Sequence, residues 1–273
     1  MPHVTTRDGV KLYLKDWGAG PPVVLIHGWP LDADMWEAQA PVLAARGHRV
    51  IAYDRRGFGR SDQPWTGYDY DTLADDLAAV IDGLELEGVT LVGFSMGGGE
   101  VARYLSRHGA GKVAKAVLVG SVTPFLLKTA DNPDGADKSL FDGMVEQLKK
   151  DRPHFLAGFG QPFYGTGLLK HPVSDEMVRW SQSVAMLASP QATTACVRAF
   201  SETDFRPDMA AFTVPTLIVH GTGDQTVPID ISGRVTARMI PHSQLIEYDG
   251  APHGLFATEA DRLTSDLLIF LRS

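Results

Sequence analysis

Three residues of this 273-residue chain have the types and order needed for nucleophilic chemistry: Ser95, Asp224 and His253. Ser95 lies in Gly93-Phe94-Ser95-Met96-Gly97, which matches G-x-S-x-G. Asp224 closes His220-Gly221-Thr222-Gly223-Asp224, and His253 lies in Ala251-Pro252-His253-Gly254. A serine hydroxyl attacks poorly until a base takes its proton, and the base needs an orienting group. Serine, imidazole and carboxylate fill those three roles. The pentapeptide alone is a weak signal. Its context is stronger. An apolar run at 89–92 reads as a buried strand before Ser95, and 96–108 reads as a helix ending at Gly109. Asp224 and His253 each follow a further apolar run, at 214–219 and 245–248. The plainer reading is a helix-start serine, a turn aspartate and a surface histidine.

Acyl transfer also needs two fixed N–H donors for the developing oxyanion. One is expected from Met96, the residue after the nucleophile, at a helix N-terminus. The other is expected from His27-Gly28-Trp29-Pro30, directly after the apolar run 23–26. Proline has no N–H, so Trp29 is the candidate. The alternative for this loop is a tight turn carrying a core tryptophan.

The elements that must position these groups follow from hydropathy. Val10, Leu12 and Leu14 alternate with polar residues beyond the turn pair Asp8-Gly9, which predicts an N-terminal hairpin. Unbroken apolar runs at 23–26, 50–53, 89–92, 116–119, 214–219 and 245–248 suit strands buried on both faces. Leu73, Leu77, Val80, Ile81 and Leu84 share one helical face, with Thr72 and Asp75 as its expected capping pair. Leu263, Leu267 and Leu271 predict a last helix. This alternation predicts an α/β fold with a mostly parallel, doubly wound sheet. It lapses between 122 and 208, where seven prolines and helical patches at 141–150 and 176–188 suggest an inserted helical cap. The core is then 1–121 and 209–273.

Composition excludes several classes. The chain is 44% hydrophobic and 21% charged, as in a globular protein. Its formal charge of −8 argues against nucleic acid as a partner. One cysteine, Cys196, rules out an internal disulfide, and the nine histidines form no HxxxH or HxH pair, so no metal site is expected. No long apolar segment or leader is visible, which predicts a cytoplasmic protein with no membrane partner. The 54–61 loop lacks the Gly-Lys-Ser/Thr of a phosphate loop and reads as a turn that anchors the core. Gly97–Ala102 fits G-x-G-x-x-A, but the next strand ends in Gly120-Ser121 with no acid for a ribose.

Together His27-Gly-Trp-Pro30, Asp54-Arg-Arg-Gly-Phe-Gly-Arg-Ser61, Gly93-Phe-Ser-Met-Gly97, Gly221-Thr-Gly-Asp224 and Ala251-Pro-His-Gly254 resemble the α/β-hydrolase family. They are more closely similar to its bacterial aryl esterases and cofactor-free (non-haem) haloperoxidases, or perhydrolases. The resemblance implies acyl transfer from small apolar or aromatic esters through an acyl-enzyme, with no cofactor. It implies hydrogen peroxide as an alternative acceptor, giving a peracid that oxidises halide, and a possible homo-oligomer. Related chemistries on the same triad, a lactonase, γ-lactamase or carbon–carbon hydrolase, stay open, as does a non-catalytic receptor. The expected substrate pocket is Trp29, Pro30, Phe125, Phe159, Phe163 and Thr226. Seven of the twelve phenylalanines fall in 121–205: Phe125, Phe141, Phe155, Phe159, Phe163, Phe200 and Phe205. Thr226 stands where relatives carry an aliphatic residue, which implies a different acyl pocket. Pro30 is expected to fix the Trp29 carbonyl where it can accept a hydrogen bond from peroxide.

Overall fold

A computed structural model describes residues 3–167 and 170–273. The apolar runs form strands because β-branched side chains at successive positions fill both faces of a covered sheet. In chain order these are β1 (His3–Thr5), β2 (Lys11–Trp17), β3 (Pro22–Ile26), β4 (Arg49–Tyr53), β5 (Val89–Phe94), β6 (Val113–Val119), β7 (Thr216–Gly221) and β8 (Gln244–Tyr248). The N-terminal hairpin forms, with Val4 opposite Leu12 and Gly9 turning at φ 86°. β2 continues antiparallel onto β4, and all pairings from β4 to β8 are parallel. The sheet order is β1-β2-β4-β3-β5-β6-β7-β8.

The helices are α1 (Ala40–Ala45), α2 (Tyr70–Gly83), α3 (Met96–His108), α4 (Lys138–Tyr164), α5 (Asp175–Met186), α6 (Pro190–Glu202), α7 (Gly233–Met239), α8 (Leu255–Thr258) and α9 (Ala260–Arg272). The chain steps outward from β3 to β4, then crosses back over β3 to β5. Right-handed crossovers therefore place α1 on one face and α2 and α3 on the other. Accordingly α1 touches α9, while α2 lies along α3. The reversal leaves a crevice at the carboxyl ends of β3 and β5, the usual ligand position in an open α/β sheet. Both the Trp29 loop and Ser95 open onto it.

The start of α2 differs from the expected Thr72–Asp75 pair. Asp69 is the N-cap, and its carboxylate accepts the Thr72 N–H at 2.9 Å. A carboxylate three residues earlier is the better acceptor, and Asp75 turns to Arg107 and His108. In the 122–208 segment, α4 packs on α5 and α6. α4 is two helices joined at Asp151 (φ −156°, ψ 82°). The Asp151 carboxylate restarts the helix by accepting the His154 N–H at 3.1 Å, and Pro153 gives up no needed donor there. The 54–61 loop anchors the core through buried ion pairs, with Arg56 on Asp76 at 2.6 Å. Among the described residues, no helix is long and apolar enough to cross a membrane.

Candidate active site

Ser95 makes the whole turn between β5 and α3. Its φ of 53° and ψ of −116° are strained for a non-glycine residue, and the strain lifts Oγ clear of the sheet. Two glycines permit the turn. A Cβ on Gly93 would lie 2.4 Å from the Gly97 carbonyl oxygen. One on Gly97 would lie 2.6 Å from the Ile26 oxygen and 2.9 Å from the His27 oxygen. The start of α3 therefore rests directly on the end of β3.

The loops after β7 and β8 bring the other two residues in. His253 Nδ1 lies 2.6 Å from Asp224 Oδ2, and its Nε2 lies 2.9 Å from Ser95 Oγ. An ionised carboxylate only accepts, so Nδ1–H donates to it and Nε2 is left to accept the serine proton. Asp224 Oδ1 accepts the N–H groups of Thr226 at 2.9 Å and Val227 at 2.8 Å. Burial pushes the Asp224 carboxyl up, but His253 and His220 outweigh it and hold the group well below the usual carboxylate range. His220, which sequence reasoning passed over, is fully buried with Nε2 at 3.3 Å from Asp224 Oδ2 and 2.8 Å from the Val227 oxygen. Its place in the Asp224 motif was the available signal.

Trp29 and Met96 flank Ser95 from the two elements that Gly97 holds together. Among the described residues, no acceptor takes the backbone N–H of either. The Trp29–Pro30 bond is cis. The Trp29 indole N–H donates to the Thr193 carbonyl at 3.0 Å, which ties this loop to α6.

A cavity of about 350 Å³ opens above Ser95 and His253. Trp29, Phe159 and Thr226 line it, and so do Phe141, Phe155 and Phe200. Three of the expected lining residues, Phe125, Phe163 and Pro30, lie elsewhere. Phe125 is buried under the Arg206 guanidinium, 5.1 Å above its ring, while its neighbour Leu126 faces the cavity. Phe163 stands edge-on behind His253, centroids 5.1 Å apart, and shares a second narrow space with Pro30. Pro30 shares that narrow space with Phe159, which also lines the main cavity, whereas Pro30 does not. The lining residues that sequence reasoning missed include Phe141, Phe155 and Phe200 beside aliphatic residues such as Leu126 and Met144; composition flagged the phenylalanines of 121–205 but not which of them turn inward.

A family model described as alpha/beta hydrolase fold matches residues 21–260. The chain belongs to the α/β-hydrolase family. This hydrolase is 46% identical to a non-heme haloperoxidase of Rhodococcus erythropolis, over 100% of both chains. It is 45% identical to a bifunctional esterase/perhydrolase of Acinetobacter calcoaceticus, again over 100% of both. The crystal structure of a bromoperoxidase from Bacillus anthracis superposes with a TM-score of 0.97 at 46% identity, covering 100% of this chain and 99% of that one.

Proposed function

We propose that this hydrolase is a serine carboxylic-ester hydrolase, acting on small apolar or aryl esters, with perhydrolase activity. The observation that carries the reading is the continuous line Ser95–His253–Asp224, at 2.9 and 2.6 Å, on the floor of an aromatic cavity. Ser95 Oγ attacks the ester carbonyl while its proton passes to His253 Nε2. Asp224 stays ionised and stabilises the imidazolium. The oxyanion lies between the N–H groups of Trp29 and Met96, which face no competing acceptor among the described residues. As the C–O bond breaks, His253 returns the proton to the departing alkoxide or phenoxide. Water then gives a proton to His253 and attacks the acyl-serine, and Ser95 leaves reprotonated with a carboxylic acid released. Hydrogen peroxide in place of water releases the peracid. The peracid can oxidise bromide to hypobromous acid in solution, taking one proton and leaving the carboxylic acid.

The apolar cavity suits the acyl or aryl part of the ester. We assign Trp29, Phe159 and Thr226 to its wall, and residues 122–208 to a cap over the 1–121 and 209–273 core. The test is Ser95→Ala with phenyl, alkyl, lactone and lactam substrates. Removal of a triad member should cost on the order of 10⁴-fold or more in kcat with the fold intact. Retention of a tenth of the activity would overturn the mechanism. An inactive wild type on every acyl substrate would favour the receptor reading.

A further inference from the structure

The two oxyanion donors come from different elements, so something must hold both in aim. We propose that His27 is a positioning residue that aims the Trp29 N–H, and that the buried Arg55–Glu100 pair locks His27 to the helix carrying Met96. This rests on the oxyanion role given to Trp29 and Met96 above.

The backbone N–H of Arg55 lies 2.9 Å from His27 Nε2. A backbone N–H can only donate, so Nε2 accepts and the ring proton is on Nδ1. With its proton there, Nδ1 donates to the Gly28 carbonyl oxygen 3.0 Å away, and Arg55 Nη1, 3.3 Å from Nδ1, is a second donor that makes no hydrogen bond to it. The same oxygen accepts the Leu31 N–H at 3.0 Å. The Gly28–Trp29 peptide is trans and planar, so its C=O and N–H point in opposite directions. Pinning the Gly28 carbonyl on the His27 side therefore turns the Trp29 N–H outward, where no protein acceptor meets it among the described residues.

Arg55 secures this arrangement three ways. Its guanidinium donates to the His27 carbonyl at 2.6 Å, fixing the preceding peptide plane. Its charge also opposes a second proton on His27: burial first, and then Arg55, hold that imidazole well below the usual histidine range. Finally, Arg55 pairs with Glu100 of α3, whose other oxygen accepts the Tyr53 hydroxyl at 2.6 Å. Both ions are fully buried, so the pair is costly to break and holds one geometry. Glu100 sits one turn beyond Met96 on α3. The bridge runs from the Gly28 carbonyl through His27 and Arg55 to the helix bearing the second donor.

Two substitutions separate aiming from packing. Asparagine places an amide N–H near the position of Nδ1, whereas glutamine reaches the Arg55 N–H near Nε2 but offers nothing to Gly28. His27→Asn should keep kcat for phenyl acetate within about threefold of wild type, as one retained hydrogen bond implies. His27→Gln and His27→Leu should lower kcat by about 10- to 100-fold, part of what loss of a whole oxyanion donor costs. KM should move less than about threefold, and affinity for a trifluoromethyl ketone, which forms the oxyanion on Ser95, should fall with kcat. Should His27→Leu not fold, the Asn and Gln variants decide alone. Wild-type kcat in His27→Gln with loss in His27→Asn would overturn the proposal, since packing on Arg55 would then be the role. So would equal retention in both, or losses confined to melting temperature and active fraction. Ser95→Ala separates the levels: an inactive Ser95→Ala beside a fully active His27→Gln sinks this inference alone, and an active Ser95→Ala sinks the mechanism too.

Discussion

Gly97→Ala tests whether the close seat of α3 on β3 builds the oxyanion hole. The added Cβ would lie 2.6 Å from the Ile26 oxygen and 2.9 Å from the His27 oxygen, both fixed backbone atoms. Real Cβ contacts do not go below 3.0 Å, so the start of α3 must retreat by at least about 0.4 Å. A donor set for a 2.9 Å hydrogen bond would then sit near about 3.3 Å, at the weak end of the range. Complete loss of one donor costs about 10²–10³ in kcat, so partial withdrawal of Met96 should cost about tenfold. Overpacking costs about 1–3 kcal/mol. Replacing glycine inside a helix returns up to about 1 kcal/mol, so the melting temperature should drop by a few degrees at most. The assay is initial rates on phenyl acetate across substrate concentration, beside a thermal melt. Gly158→Ala is the control: it lies in α4 with nothing within 4 Å of its added Cβ, so activity should hold and stability should rise slightly. Wild-type kcat in a folded Gly97→Ala would refute the reasoning, because the donors would then not depend on that contact.

Asp32 should show a pH-dependent cost. Its Oδ1 accepts the Asp34 N–H at 2.9 Å, its Oδ2 is buried without a partner among the described residues, and burial together with Asp54 pushes its carboxyl up to about 7. The folded state thus keeps a proton that the unfolded chain releases near about 4, so this group's contribution is full below that pH and is lost as pH rises through 7. Asp32→Asn keeps the cap without titrating. In urea unfolding its advantage over wild type should grow between pH 5 and pH 8 by on the order of 1–3 kcal/mol, and an equal effect at both would contradict the assignment. Phe159 separates the main cavity from the narrow space beside Pro30 and Phe163. Phe159→Ala should join them and raise kcat/KM for an octanoate ester relative to acetate by about tenfold; an unchanged ratio would show that other residues limit chain length.

Strand positions and the chain order of Ser95, Asp224 and His253 were legible because each depends on local pattern. A run of β-branched residues fills both faces of a covered strand wherever it falls, and the functional loops follow the strand ends. Ser95, Asp224 and His253 could be named for that reason, and the structure brings them within hydrogen-bond distance. The N-cap of α2 was misplaced by three residues, since Thr72 and Asp69 both suit a cap and only backbone conformation distinguishes them. Phe125 and Phe159 also look alike in sequence. Packing sends Phe125 under Arg206 and Phe159 against Trp29 at 5.3 Å. The links from Arg55 to Glu100 and to His27 join residues 45 and 28 positions apart. No local periodicity encodes such contacts. They exist because the reversal of strand order lays β3, β4 and α3 side by side, where a buried charge must find its partner.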